Sequence, residues 1–491
     1  MQMNNFAGWQ PQQQTLDHVD WLLAGLVEQD AAPGVAYGVF NRNGLIHTAG
    51  LGTTTIRAHQ PPTEHTAFRI ASMSKSFTAA AIMLLVERGA VELDRTVHEI
   101  VPEVLGPPHY SIDSPPITVR MLLSMSGGLA NDDPWADRQE SISVEQFGQI
   151  LKAPIAFIAA PGTRYEYANL GYAMLGRVVE VVSGRSFVAF VTEEFIVPLG
   201  LSATGYDNSV AAPDGVADGH ARIAGQWRTE PVSQPGVFSS IGGVFSTVAD
   251  LTTWASWLCK AFPARDDADT SLLSRAGRRL MQQAHRTMPL TDYPVSDDRL
   301  KPSGLQVNSY GFGVIVTSHK KFGDIVSHSG GYPGFGSHMR WHPQTGIGLI
   351  ALANGRYAPC SIVGEKAMQA LLEDALSAGT PLDVWPRTRA AQEAVMEFLQ
   401  VRDFGALDGW LSENVEMDIP LDVRLREISA QLDGLGDGEW TSTDVRSQSP
   451  AHLVWDVSGA GGTIRCEIAM HPISPALIQT LKVTAPADNT H

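Results

Sequence analysis

The chain has 491 residues, 44% of them hydrophobic and 18% charged, with a formal net charge of −17. That length and apolar content support a large buried core and at least one further domain. The acid excess argues against a surface built to neutralise nucleic-acid phosphates or an anionic bilayer. Three cysteines (Cys259, Cys360, Cys466) are far apart, odd in number and without metal-ligand spacing, so they read as reduced packing residues. The opening MQMNNFAGWQPQQQ has neither the basic nor the apolar region of a signal peptide. No apolar run reaches the ~18 residues of a membrane span, so the expectation is a soluble, cytoplasmic protein.

In chain order, residues 15–29 have helical periodicity in Val19, Leu22, Leu23 and Leu26. Two strand patterns, 34–40 and 45–51, flank Asn41-Arg42-Asn43-Gly44, a hairpin signal. Residues 68–70 read as a short strand leading into a helix marked by Phe77, Ala81, Leu84 and Leu85 and stopped by Gly89. From about 95 to 300 the chain is loop-rich and helical, with helices expected at 118–124, 144–151, 170–183 and 247–260. Strand patterns return at 310–317, 325–328, 336–342 and 346–353, with turns at Gly330-Gly331 and 343–346, and a helix at 361–376 follows. Strands at both ends of a helical middle imply one sheet with an all-α lobe inserted into it, over residues 1–378. Residues 379–389 read as a Pro-containing linker. Beyond it, 390–491 carries helix patterns (390–399, 404–411, 423–435) and then short strands (440–445, 452–457, 463–471, 477–483), a small α+β domain.

Three short motifs carry chemistry. Ser72-Met73-Ser74-Lys75 places a hydroxyl and an amine three residues apart on one helical face. A serine needs a base within hydrogen-bond reach to become a nucleophile, and a buried amine loses its proton more readily. Taken alone, the same residues also describe a helix cap and a solvated lysine. Tyr167-Ala168-Asn169 precedes a helical run. Asn169 could cap that helix, or Tyr167, its phenol lowered by a neighbouring ammonium, could take the Ser72 proton while Asn169 holds the substrate amide or Lys75. His328-Ser329-Gly330-Gly331 ends a strand. It reads as an ordinary surface histidine beside a turn, or as a strand edge that pairs with substrate and supplies an oxyanion N–H.

In the order Ser72-x-x-Lys75, Tyr167-x-Asn169, His328-x-Gly330, the chain resembles the penicillin-recognising serine hydrolases. More narrowly it is similar to their class C β-lactamase-like branch, which includes D-aminopeptidases, alkaline D-peptidases and family VIII carboxylesterases. Lesser echoes lie at 121–129, 242–251 and 336–343, and the resemblance covers about residues 15–378. It implies an α/β (α+β) fold: a β-lactamase/transpeptidase-like antiparallel sheet flanked by helices, an all-α lobe, and the site between them. It also implies Ser72 as acylated nucleophile, Lys75 as charge partner or base and Tyr167 as the base that also protonates the leaving group. Asn169 would be the polar positioner, and the Ser72 and Gly331 N–H groups the oxyanion hole, with no metal or cofactor.

Two positions depart from the pattern. His328 stands where β-lactamases and most carboxypeptidases carry lysine, which weakens the grip on a substrate carboxylate. Met125 stands where many relatives carry histidine, and is expected to be structural. The reading is therefore a serine hydrolase cleaving an amide of a small peptide or D-amino-acid derivative. The alternatives are a carboxylesterase, a β-lactamase or penicillin-binding peptidase, an acyltransferase, and a sensor that acylates without turnover. The partners expected are a small-molecule or short-peptide substrate, with homo-oligomerisation left open and no nucleic acid and no membrane; the C-terminal domain reads as a structural lid or a partner surface.

Overall fold

The structure is a computed structural model that describes residues 6, 8–57, 60–104, 110–262, 265–290, 306–377, 384–436 and 438–485. The chain divides into two compact units, one running to Ser377 and one beginning at Ala378. Among the described residues, no helix is long and apolar enough to cross a membrane.

In the first unit the expected hairpin forms as strands Gly34–Asn41 and Gly44–Gly52. The first of these pairs on its other edge with Gly348–Ala353, Val35 facing Ala353, so the two ends of the unit close one sheet. Asn354 fastens that closure: its Oδ1 accepts the Gly34 N–H at 2.7 Å and its Nδ2 donates to the Thr53 and Thr54 carbonyls at 3.1 Å. The antiparallel sheet continues through Phe335–Trp341, Gly323–Tyr332, Ile315–His319 and Gln306–Tyr310 to Arg286–Thr287. Helices Gln13–Glu28 and Cys360–Ala375 cover one face, burying Val19, Leu23, Met368 and Leu371. The other face and the helical lobe share a second core, built around helix Lys75–Glu87. Every residue of that helix from Lys75 to Leu85 is buried, as an apolar surface on all sides requires. Phe77 stacks on Trp254 with ring centres 3.9 Å apart.

Four expectations change. The single strand at 310–317 is two strands, broken where Gly311 N–H bonds Val314 O and Gly313 turns through a φ of +71°. Gly330 and Gly331 do not turn the chain, because strand Gly323–Tyr332 runs through both and the reversal comes at Gly334, φ +91°. Helix Val248–Cys259, assigned to the lobe from sequence, packs on the sheet instead. The stretch read as helical also holds a hairpin, His220–Ile223 with Gln226–Thr229. Its two-residue turn, Ala224-Gly225, has both φ angles positive, as such hairpins require.

In the second unit, helix Pro386–Val401 starts with proline at its first position, inside the stretch read as linker. The earlier part of that linker, up to 383, lies outside the described residues. The helix buries Ala391, Val395, Phe398 and Leu399 against Trp455, Ile468 and Leu481 of a four-stranded meander, Thr441–Arg446, His452–Gly459, Gly462–Met470 and Ile478–Thr484.

Candidate active site

Strand Phe68–Arg69 pairs with Phe245–Ser246, and the Ile70 N–H bonds Val244 O at 2.8 Å. The chain then turns sharply. Ala71 has a φ of +51°, and Ala71–Ser74 forms a 3₁₀ turn before the α-helix begins at Lys75. In a 3₁₀ turn, positions three apart eclipse one another. Lys75 Nζ accordingly donates to Ser72 Oγ at 2.9 Å, and also to the Ile241 carbonyl at 2.9 Å. Ser72 is half-buried, whereas Lys75 is fully buried. Burial pulls the Lys75 ammonium down to about 8, against the opposing pull of Asp133, Asp137 and Asp132. Beneath the turn, buried Arg69 pairs with buried Glu140, and its guanidinium lies 4.1 Å from the Tyr332 ring centre. Tyr332 donates to Glu140 at 3.1 Å, so this pair ties the Ala71–Ser74 turn to the strand that carries His328.

Tyr167 is held in place by Met125. The Met125 carbonyl accepts the Glu166 N–H at 2.9 Å and its Sδ the Ala168 N–H at 3.5 Å, one on each side of Tyr167. Lys75 Nζ lies 5.0 Å from the Tyr167 ring centre. The lowered phenol expected from sequence is not found. Burial and then the Asp133 charge push Tyr167 well above the ordinary tyrosine value, with only its hydrogen bond to Ser72 acting the other way. Tyr167 is therefore a neutral phenol at physiological pH, and of the two groups Lys75 is the one that burial brings toward its neutral form.

Asn169 is the first residue of helix Asn169–Ser183 rather than its cap. Asp132 caps that helix from another segment, accepting the Asn169 and Leu170 N–H groups at 2.7 and 2.8 Å. The Asn169 amide is fully buried and donates through Nδ2 to Asp133 Oδ1 at 2.6 Å and to Asp132 Oδ1 at 3.2 Å.

His328 is buried, not a surface residue. Its Nδ1 lies 2.7 Å from the Ser329 carbonyl, which only accepts, so the proton is on Nδ1 and Nε2 accepts the Tyr310 hydroxyl at 2.9 Å. Burial, together with the Lys75 charge, lowers His328 to about 3. It is a neutral, fully bonded side chain at neutral pH and offers no charge to a substrate carboxylate. Gly330 is glycine because the turn that carries Ser72 lies on it: a Cβ there would collide with Ile70 O and Ser337 Oγ. A Cβ on Gly331 would come within 2.7 Å of the Tyr357 ring. Tyr357 in turn donates to Asp137 at 2.7 Å.

Of the residues singled out from sequence, Lys75 and Tyr167 bond the Ser72 hydroxyl directly, Gly330 packs against the turn that carries Ser72, and Asn169, His328 and Gly331 bond or pack against other groups. The structure adds Asp132, Asp133, Asp137, Tyr310 and Tyr357, which sequence reasoning missed. The only available signal was Asn131-Asp132-Asp133-Pro134, a helix start with proline early in its first turn, and it says nothing about what the carboxylates face. Chemically, a hydroxyl on a buried amine with a neutral phenol beside it is equipped for acyl transfer.

A family model described as Beta-lactamase matches residues 19–372. Penicillin-binding protein 4* of Bacillus subtilis is 24% identical over 349 residues, 69% of this chain and 71% of that protein. Protein flp of Staphylococcus aureus is 21% identical over 350 residues, 70% of this chain, and the chain spans 64% of that protein's length. Among solved structures, an octameric penicillin-binding protein homologue from Pyrococcus abyssi superposes with a TM-score of 0.62 at 20% identity, covering 95% of this chain and 99% of that one. EstCE1, a hydrolase with promiscuous acyltransferase activity, gives 0.58 at 20% identity over 72% and 98% of the two chains. A class C β-lactamase mutant gives 0.57 at 19% identity over 73% and 97%. The fold is β-lactamase/transpeptidase-like.

Proposed function

The chain belongs to the β-lactamase-fold family of serine hydrolases, and we propose that it cleaves an amide of a small peptide or D-amino-acid derivative through an acyl-enzyme on Ser72. The observation that carries this reading is the fully buried Lys75 amine, brought to about 8 and donating to Ser72 Oγ at 2.9 Å. Near neutral pH a useful fraction of Lys75 is unprotonated. Ser72 Oγ attacks the substrate carbonyl carbon while its proton passes to Lys75 Nζ. The oxyanion is received by the Ser72 and Gly331 N–H groups, as the resemblance implies. Collapse breaks the bond to the leaving group, which takes a proton from the Tyr167 phenol, and Lys75 returns one to Tyr167. Water then attacks the acyl-enzyme along the same proton path, releasing the acid and restoring Ser72.

The neutral, bonded His328 supports a substrate without the terminal carboxylate of penicillins. Cleavage of a matched ester uses the same groups, so the leaving-group preference is measured with amide and ester pairs of one acyl group. The test of the reading is intact-protein mass spectrometry after a fluorophosphonate, with hydrolysis assays on wild type and Ser72→Ala. The expected result is one adduct on Ser72 and loss of both labelling and turnover in the variant. Turnover that survives Ser72→Ala refutes it. The likeness to the octameric homologue over 95% of the chain supports a homo-oligomer, with the unit from Ala378 as an accessory surface; light scattering after gel filtration tests this.

A further inference from the structure

We propose that the wall facing Ser72 is a binding subsite for a protonated amine close to the scissile carbonyl, held by Asp133, Asp137 and the side-chain oxygen of Asn169. This rests on the serine-hydrolase reading and names the substrate class of that same site.

The first observation is how the Asn169 amide is oriented. Its nitrogen lies against two carboxylates, Asp132 at 3.2 Å and Asp133 at 2.6 Å. Carboxylates only accept, so the NH₂ must face them, and both of its protons are committed. The amide therefore presents an acceptor alone. That atom, Oδ1, belongs to a fully buried side chain and has no hydrogen-bond partner among the described residues. A buried acceptor left unpaired is costly and calls for an N–H donor. The hydrogen bonds of Lys75 go to Ser72 and Ile241.

The second observation is the pair of carboxylates. Asp133 and Asp137 stand four residues apart on one helical turn, with the Asp137 N–H bonded to Asp133 O, so they share a face. Each engages one oxygen: Asp133 with Asn169, and Asp137 with the Tyr357 hydroxyl at 2.7 Å. Asp132 is taken up in capping the helix. Nearby cations are spoken for, Arg69 by Glu140 and both Arg138 and Arg356 by Glu230. Three carboxylates thus act through their charge on the one lysine beside Ser72. Through Asn169 and Tyr357 the pair spans from the helix start behind Tyr167 to Gly331. An ammonium has three donors, matching one oxygen from each of Asp133, Asp137 and Asn169. The chain's charge of −17 would also draw a cation toward it.

The test is protection of Ser72 against fluorophosphonate labelling by D- and L-alaninamide and by their N-acetyl forms, read by mass spectrometry on the full chain at pH 7. The expected result is that the free amines protect at concentrations at least roughly tenfold lower than the acetylated ones. That ratio should fall toward unity in both Asp137→Asn and Asp133→Asn, each checked for folding by circular dichroism. Two variants keep the test decisive if one fails to fold. Equal protection by amine and acetylated forms, or a ratio unchanged in a folded variant, overturns the subsite while Ser72 labelling stands. A wild type that does not label at Ser72 overturns the hydrolase reading, and the subsite with it.

Discussion

If Lys75 rather than Tyr167 takes the Ser72 proton, the pH dependence of acylation must follow the amine. Only unprotonated Lys75 can accept a proton, and burial brings that group to about 8. The unprotonated fraction is then about 1% at pH 6, about 9% at pH 7 and about 50% at pH 8, from simple titration about that value. The second-order labelling rate of Ser72 by an uncharged fluorophosphonate should rise about 50-fold between pH 6 and pH 8 and level off above pH 9. The reagent does not titrate, so the profile belongs to the protein. The fit is confined to the limb above pH 6, because Asp137, raised by burial to about 6, changes charge there and acts on Lys75. Asp133 holds the Lys75 value up, so in Asp133→Asn the limb should move to lower pH. A flat profile from pH 6 to 9, or one still climbing above pH 10 as a phenol would give, refutes the assignment of Lys75 as base.

Other consequences follow from the same geometry. Tyr167→Phe should lower turnover of an amide by about 10²–10⁴ and that of a p-nitrophenyl ester much less, since only the amine leaving group needs the proton. Comparable losses on both substrates would show that the phenol does something else. Lys75→Met should abolish turnover yet raise the thermal midpoint at pH 7. The buried lysine is lowered from 10.5 to about 8, so below pH 8 it costs the fold roughly 3 kcal/mol at 1.36 per pH unit, and this cost disappears as pH rises toward 10.5. The two lost hydrogen bonds return part of that gain, and a lower midpoint in calorimetry contradicts the argument. Gly330→Ala should eliminate Ser72 labelling with little change in far-UV circular dichroism, because the added methyl meets Ile70 O in the nucleophile turn. Asp132→Ala should destabilise by about 1–2 kcal/mol through loss of the cap on helix Asn169–Ser183, read as a shift in urea midpoint.

The sequence by itself determined what depends on near neighbours. The apolar period and Gly89 marked the helix Lys75–Glu87, the 41–44 turn marked the first hairpin, and Ser72 with Lys75 shared a face whether the turn was α or 3₁₀. The order of the three motifs was enough to bring Tyr167, Asn169, His328, Gly330 and Gly331 into consideration, and strands at both ends were enough to expect a closed sheet. Local signals also misled: a glycine pair read as a turn became mid-strand, since what excludes side chains there is the packed turn at Ile70–Ala71 and Tyr357. Tertiary structure alone decided protonation and charge. Whether Lys75 falls, Tyr167 rises or His328 stays neutral depends on burial and on charges that reach the site from distant segments, Asp133 and Asp137 above all. Those distances exist only once the chain has folded, because desolvation and Coulomb interactions act through space and leave no trace in residue spacing.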